Sequence, residues 1–65
     1  MYRENFMDSE KKKGKVGSKV IEQYLDGERG GVLTVKTIMS KGRAGTRLYF
    51  EEGGYGKAGN YKVVE

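Results

Sequence analysis

The sequence predicts an α+β domain in which one N-terminal helix packs on a three-stranded antiparallel β-meander. Three observations carry that expectation. Apolar residues between 16 and 26 recur at helical spacing. The stretch 32–51 holds two strand-like runs around a glycine-bearing loop. A last short run, Tyr61-Lys62-Val63-Val64, can close a third strand.

Residues 1–15 read as a basic, partly disordered arm. Lys11-Lys12-Lys13-Gly14-Lys15 is a like-charge run whose self-repulsion opposes packing, while Tyr2, Phe6 and Met7 give it apolar points of attachment. Residues 16–65 read as the single domain. In its first segment Val16, Val20 and Tyr24 fall on one i, i+4 row and Ile21 and Leu25 on the next, with Lys19, Glu22, Gln23 and Asp26 elsewhere. Ser18 suits the N-cap of a helix over 16–26, and Gly27 suits its stop. Residues 28–31 serve as a linker.

The run Val32-Leu33-Thr34-Val35-Lys36-Thr37-Ile38-Met39 is rich in β-branched residues and reads as a strand. Alternation puts Leu33, Val35, Thr37 and Met39 on one face and Lys36 on the other. Lys41-Gly42-Arg43-Ala44-Gly45 supplies a turn, and Thr46–Glu51 alternates with Leu48 and Phe50 inward and Arg47, Tyr49 and Glu51 outward. A second glycine loop over 53–59 leads to the last strand, with Tyr61 and Val63 facing the core. An alternative reading makes 34–40 a helix, since Val35, Ile38 and Met39 also fit i, i+3, i+4. That gives a minimal winged-helix-like chain, but residues 26–31 are too few and too glycine-rich to supply the helix that should come before it.

At 65 residues the chain holds one domain, and a domain of this size buries only roughly 60% of its unfolded surface. The absence of cysteine and histidine excludes disulfides and the usual zinc sites. Glu51 and Glu52 are adjacent and alternate across a strand, so they build no oxygen-ligand site. Self-association into a homodimer is the staple that remains. The N-terminal stretch lacks an apolar run of export-signal or membrane-span length. With a mean hydropathy of −0.77, the expectation is a cytoplasmic chain with no membrane partner and no cofactor.

The net charge is +4, and its distribution is uneven. Residues 1–20 carry a net +3, 21–30 a net −2, 31–50 a net +4 with no acid at all, and 51–65 a net −1. The positive field therefore sits in the first segment and in the hairpin. Lys41, Arg43 and Arg47 cluster at the hairpin tip, with Lys36 behind them and Tyr49 beside Arg47. Such a basic ribbon can neutralise phosphates, and a tyrosine between cations can stack on a base. Lys11, Lys12, Lys13 and Lys15 add a second basic element.

The loop around Gly56-Lys57 resembles a phosphate loop only superficially. The first glycine of that pattern is replaced by Glu51, and the hydroxyl needed after lysine is replaced by Ala58. It reads instead as a flexible finger offering Tyr55 and Lys57 to a partner. Serines and threonines without histidine or cysteine, and carboxylates without productive spacing, make no catalytic constellation. The expectation is a non-enzymatic, small nucleic-acid-binding regulator or accessory protein using the basic hairpin and basic arm. The alternative is a protein-interaction module that binds and modulates, as an inhibitor does, a larger macromolecular partner offering an acidic surface; a third is a structural subunit of an assembly. What separates them is whether the cations converge on one face.

Overall fold

The described residues of 16–26 form no helix, and the reason lies in their spacing. Positions four apart share one side of a strand as well as one side of a helix, so the row Val16, Val20, Tyr24 fits both. Val16, Val20 and Ile21 are β-branched, which tips local preference toward extended backbone. Long-range pairing then decides it, because Lys19–Tyr24 is hydrogen-bonded on both edges.

The structure, a computed structural model, describes residues 2–24 and 26–64; Leu25, assigned above to the helical stripe, lies outside them. The described chain is built from eight strands. They are β1 (Tyr2–Arg3), β2 (Asn5–Met7), β3 (Lys13–Lys15), β4 (Lys19–Tyr24), β5 (Gly27–Ser40), β6 (Thr46–Phe50), β7 (Tyr55–Lys57) and β8 (Tyr61–Val63). Single 3-10 turns occupy Gly42–Ala44 and Ala58–Asn60. The expected helix-on-meander fold is thus replaced by an all-β one, and the winged alternative fails with it, since 34–40 lies within β5. The expected strand 32–39 falls within β5, and those at 46–51 and 61–64 contain β6 and β8 and overrun each by one residue.

The main sheet runs β7-β6-β5-β4-β8, every pairing antiparallel, with β1 added beside the C-terminal half of β5. The last strand therefore pairs with β4, not with β6 as a three-stranded meander requires. β5 is the shared element: its first half pairs with β4 and its second with β6. The linker at 28–31 and the helix stop at Gly27 are both absorbed into this strand.

Two irregularities let one long strand serve different neighbours along its length. Opposite the step Val20–Glu22, β5 carries extra residues at 30–32. Farther along, Val35 opposes Phe50 while Thr37 opposes Tyr49, which leaves Lys36 as a bulged extra residue. The bulge reverses the expected alternation. Ile38 turns into the core and Met39 out, so Met39 and Thr37 do not share the face of Leu33 and Val35.

The core is a single cluster of Phe6, Val20, Val35, Ile38, Leu48, Phe50, Ala58, Tyr61 and Val63, flanked by Leu33. Phe50 and Tyr61 join β6 to β8, with ring centroids 4.9 Å apart. Gly56 is required where Tyr61 crosses β7, because a Cβ there would run into its ring. Gly14 does the same under Phe6.

The stretch expected as an arm contributes β1, β2 and β3 and places Phe6 in the core. Asp8 explains how a lysine-rich segment is held. Its carboxylate accepts the amides of Glu10 at 2.8 Å, Lys12 at 2.7 Å and Val63 at 2.8 Å. The Ser9 amide donates to the Tyr61 carbonyl at 2.8 Å. The β2–β3 ribbon is thereby fastened to the outer edge of β8.

Candidate functional site

The outer face of β1, β5, β6 and β7 carries Lys36, Arg47, Tyr49, Tyr55 and Lys57 among the residues singled out in the sequence. Directly opposed residues in an antiparallel pair point to the same side, so the register defines the surface. One row crosses four strands as Tyr2, Met39, Arg47 and Lys57. A second row runs Thr37, Tyr49, Tyr55. The bulged Lys36 stands exposed beside Thr37. Tyr2 is 73% exposed and Tyr55 62%, and both stand on the same face.

These side chains are organised among themselves. The Arg47 guanidinium lies 4.6 Å from the centroid of the Tyr55 ring, a cation–π contact. The same guanidinium donates to the Tyr49 hydroxyl through Nη1 at 3.4 Å, a long hydrogen bond. Tyr49 and Tyr55 have centroids 5.7 Å apart with rings tilted by 45°. The hydrogen bond from Arg47 is the largest influence on the Tyr49 phenol; with the charges of Lys41 and Arg47 it outweighs partial burial and holds the phenol below its usual range. A shallow depression of about 340 Å³ opens between Tyr2, Lys36, Met39 and Tyr49.

Lys36, Arg47, Tyr49, Tyr55 and Lys57 are therefore brought to one face, and the charge of Lys41, at the start of the hairpin turn, reaches Tyr49. Tyr55 and Lys57 arrive there as β7, an ordered strand paired with β6, and the finger expected from the glycines shrinks to the turn at 51–54. Arg43 is exposed in the 3-10 turn at the hairpin tip, beyond the end of the sheet. Lys11, Lys12, Lys13 and Lys15 belong to the separate β2–β3 ribbon and its turn. Glu4, two residues after Tyr2, and Glu51, two after Tyr49, are exposed and lie outside the strands.

Three members of the face escaped the sequence reading. Tyr2 lay in the supposed arm, and Thr37 and Met39 were assigned inward because the bulge at Lys36 leaves no mark in composition. Two other acidic side chains have structural partners: Glu52 accepts the Thr34 amide midway along β5 at 2.8 Å, and Glu28 pairs with Lys62 at 2.9 Å.

Among the described residues, no three His, Cys, Asp or Glu side chains gather as a metal site. None of their helices is long and apolar enough to cross a membrane. Comparison with protein families, with characterised proteins and with solved structures finds no match for this chain.

Proposed function

We propose that this chain binds single-stranded nucleic acid on the outer face of β1, β5, β6 and β7, and that it acts by holding its ligand without chemistry of its own. The observation that carries the reading is the shared face of Tyr2, Tyr49 and Tyr55 with Arg47, Lys36 and Lys57. Tyrosine rings open to solvent offer π-surfaces to unstacked bases, and each such stack is worth about 1–3 kcal/mol by alanine substitution. The cations around them attract the phosphates. A duplex hides its base faces, so aromatic rings on a sheet gain nothing from it; an unpaired strand uses both features.

Arg47 prepares the platform. Stacked on Tyr55 and bonded to the Tyr49 hydroxyl, it fixes two rings before a ligand arrives. Preorganisation of this kind lowers the ordering cost of binding.

The test is fluorescence anisotropy with labelled oligo(dT), oligo(U) and a duplex, for the parent, Tyr49→Ala and Tyr55→Ala. Single strands should bind and the duplex much less, with each variant weakened by about 1–3 kcal/mol and an unchanged circular dichroism spectrum. A folded parent protein that binds neither oligomer at low salt would sink the proposal. The protein-interaction reading would then lead, with the same face recast for an acidic partner.

A further inference from the structure

We infer that a bound strand does not end at the tyrosine face but continues past Lys57, between the hairpin tip and the β2–β3 ribbon, to the lysines of that ribbon. This inference rests on the single-strand reading above and extends it from a patch to a track.

The continuity rests on two cross-strand pairs, Arg47 with Lys57 and Met7 with Lys13. Lys57 opposes Arg47 on the tyrosine face and also walls a neighbouring groove of about 370 Å³. The other walls of that groove include Gly45 and Thr46 at the foot of the hairpin, Gly59 and Asn60 from the second 3-10 turn, and Met7 from β2. Met7 is 58% exposed and opposes Lys13 across the ribbon. Phe6 and Gly14 point into the core, so their neighbours Asn5, Met7, Lys13 and Lys15 occupy the opposite side of the ribbon. Lys13 and Lys15 then line a third groove, of about 440 Å³, with Lys12, Asn5 and Ser18.

No carboxylate lines either of these two grooves. Their chemistry also differs from that of the tyrosine face in the way a track requires. The face has rings for bases. The middle groove has two glycines that allow a sugar–phosphate chain to approach the backbone closely. The far groove has lysines, which act as point charges on flexible stems and hold phosphates without reading sequence. The longest dimension of the molecule is 31 Å. At about 3.4 Å per stacked nucleotide, and more when extended, a strand crossing it occupies roughly five to nine nucleotides. Lys12 faces the Asp8 carboxylate, so Lys13 and Lys15 are the residues to test.

The experiment is a length series of oligo(dT), from about 3 to about 12 nucleotides to bracket the occupied length. It is titrated against the parent protein, the double variant Lys13→Ala/Lys15→Ala, and Tyr55→Ala. For the parent, affinity should rise with length and level off near the length that fills the track. The double variant should match the parent on the shortest oligomers, gain nothing from longer ones, and lose about 1.4 units of salt slope on the long ones, at about 0.7 per phosphate. Tyr55→Ala should weaken every length. A double variant with the parent's length dependence and salt slope overturns the track and leaves the tyrosine face standing. So does one weakened equally at all lengths. A parent that binds no oligomer overturns both.

Discussion

The Asp8 carboxylate accepts the Val63 amide at 2.8 Å across a separation of 55 residues, and this bond closes the fold from its first hairpin to its last strand. Burial by itself opposes the charged form of Asp8. The amides of Val63, Lys12 and Glu10, with the charge of Lys12, more than offset that and hold the carboxyl below the usual carboxylate range. A depressed folded-state pKa means stability that is fully present above the unfolded value of about 3.9 and lost as pH falls through the folded value. Urea unfolding across the acid range should show that loss, and Asp8→Asn should flatten it. At neutral pH Asp8→Ala should cost about 3 kcal/mol, since it strands buried donors. An Asp8→Asn profile that superimposes on the parent's would show that Asp8 is not the group responsible.

Gly56 and Gly59 stand three residues apart and should respond oppositely to alanine. A Cβ at Gly56 meets the Tyr61 ring, whereas one at Gly59 meets open space. Gly56→Ala should destabilise by about 1–3 kcal/mol through overpacking. Gly59→Ala should be neutral or gain up to about 1 kcal/mol by restricting the unfolded chain. Paired thermal melts check both, and equal losses would mean that Tyr61 does not pack on β7.

Phe50 and Tyr55 divide the aromatic residues by role. Phe50→Ala should cost about 3–5 kcal/mol, because its buried ring packs on Tyr61. That is a large part of a small domain's stability. Tyr55→Ala should leave the melting temperature nearly unchanged while weakening binding to single strands. Chemical denaturation of both variants decides; a large loss at Tyr55 would make its contact with Arg47 structural.

Arg47 should be visible in the titration of a neighbouring phenol. Its hydrogen bond and charge favour the phenolate of Tyr49, so Arg47→Ala should move that tyrosine's titration to higher pH. Tyr61 already titrates high, because burial first, and then the charge of Glu22, oppose its ionisation; it should not move. Resonance-resolved titration of the tyrosines separates the two. An unmoved Tyr49 would show that the bond to Arg47 does not persist in solution.

The sequence was most legible where local pattern and tertiary demand agree. In Thr46–Phe50 the alternation of Leu48 and Phe50 with Arg47 and Tyr49 gave the strand, its inner face and its outer face. The glycine-flanked turn at 41–45 and the inward Tyr61 and Val63 were equally plain. Val20 and Tyr24 misled because a separation of four residues satisfies two periodicities. Tyr55-Gly56-Lys57 is a strand through its pairing with β6, and its glycine makes room for Tyr61, a fit that the glycine-rich local pattern hides. The pairing of β8 with β4 is likewise non-local. Of the site, the cations of the hairpin and Tyr49 were apparent from their spacing. Tyr2 and Met39 were not, since one depends on where the N-terminus is pinned and the other on a single bulged residue.

β5 gives its first half to β4 and its second half to β6 and β1. Neither the β4–β5 pairing nor the β5–β6 pairing can therefore melt without disturbing a strand on which the other also depends. Opening should be close to all-or-none, with the amides of Val35 and Ile38, at the junction, exchanging only as fast as the whole molecule unfolds. A chain of this length thus gains cooperativity from one long strand where larger domains gain it from a deep interior.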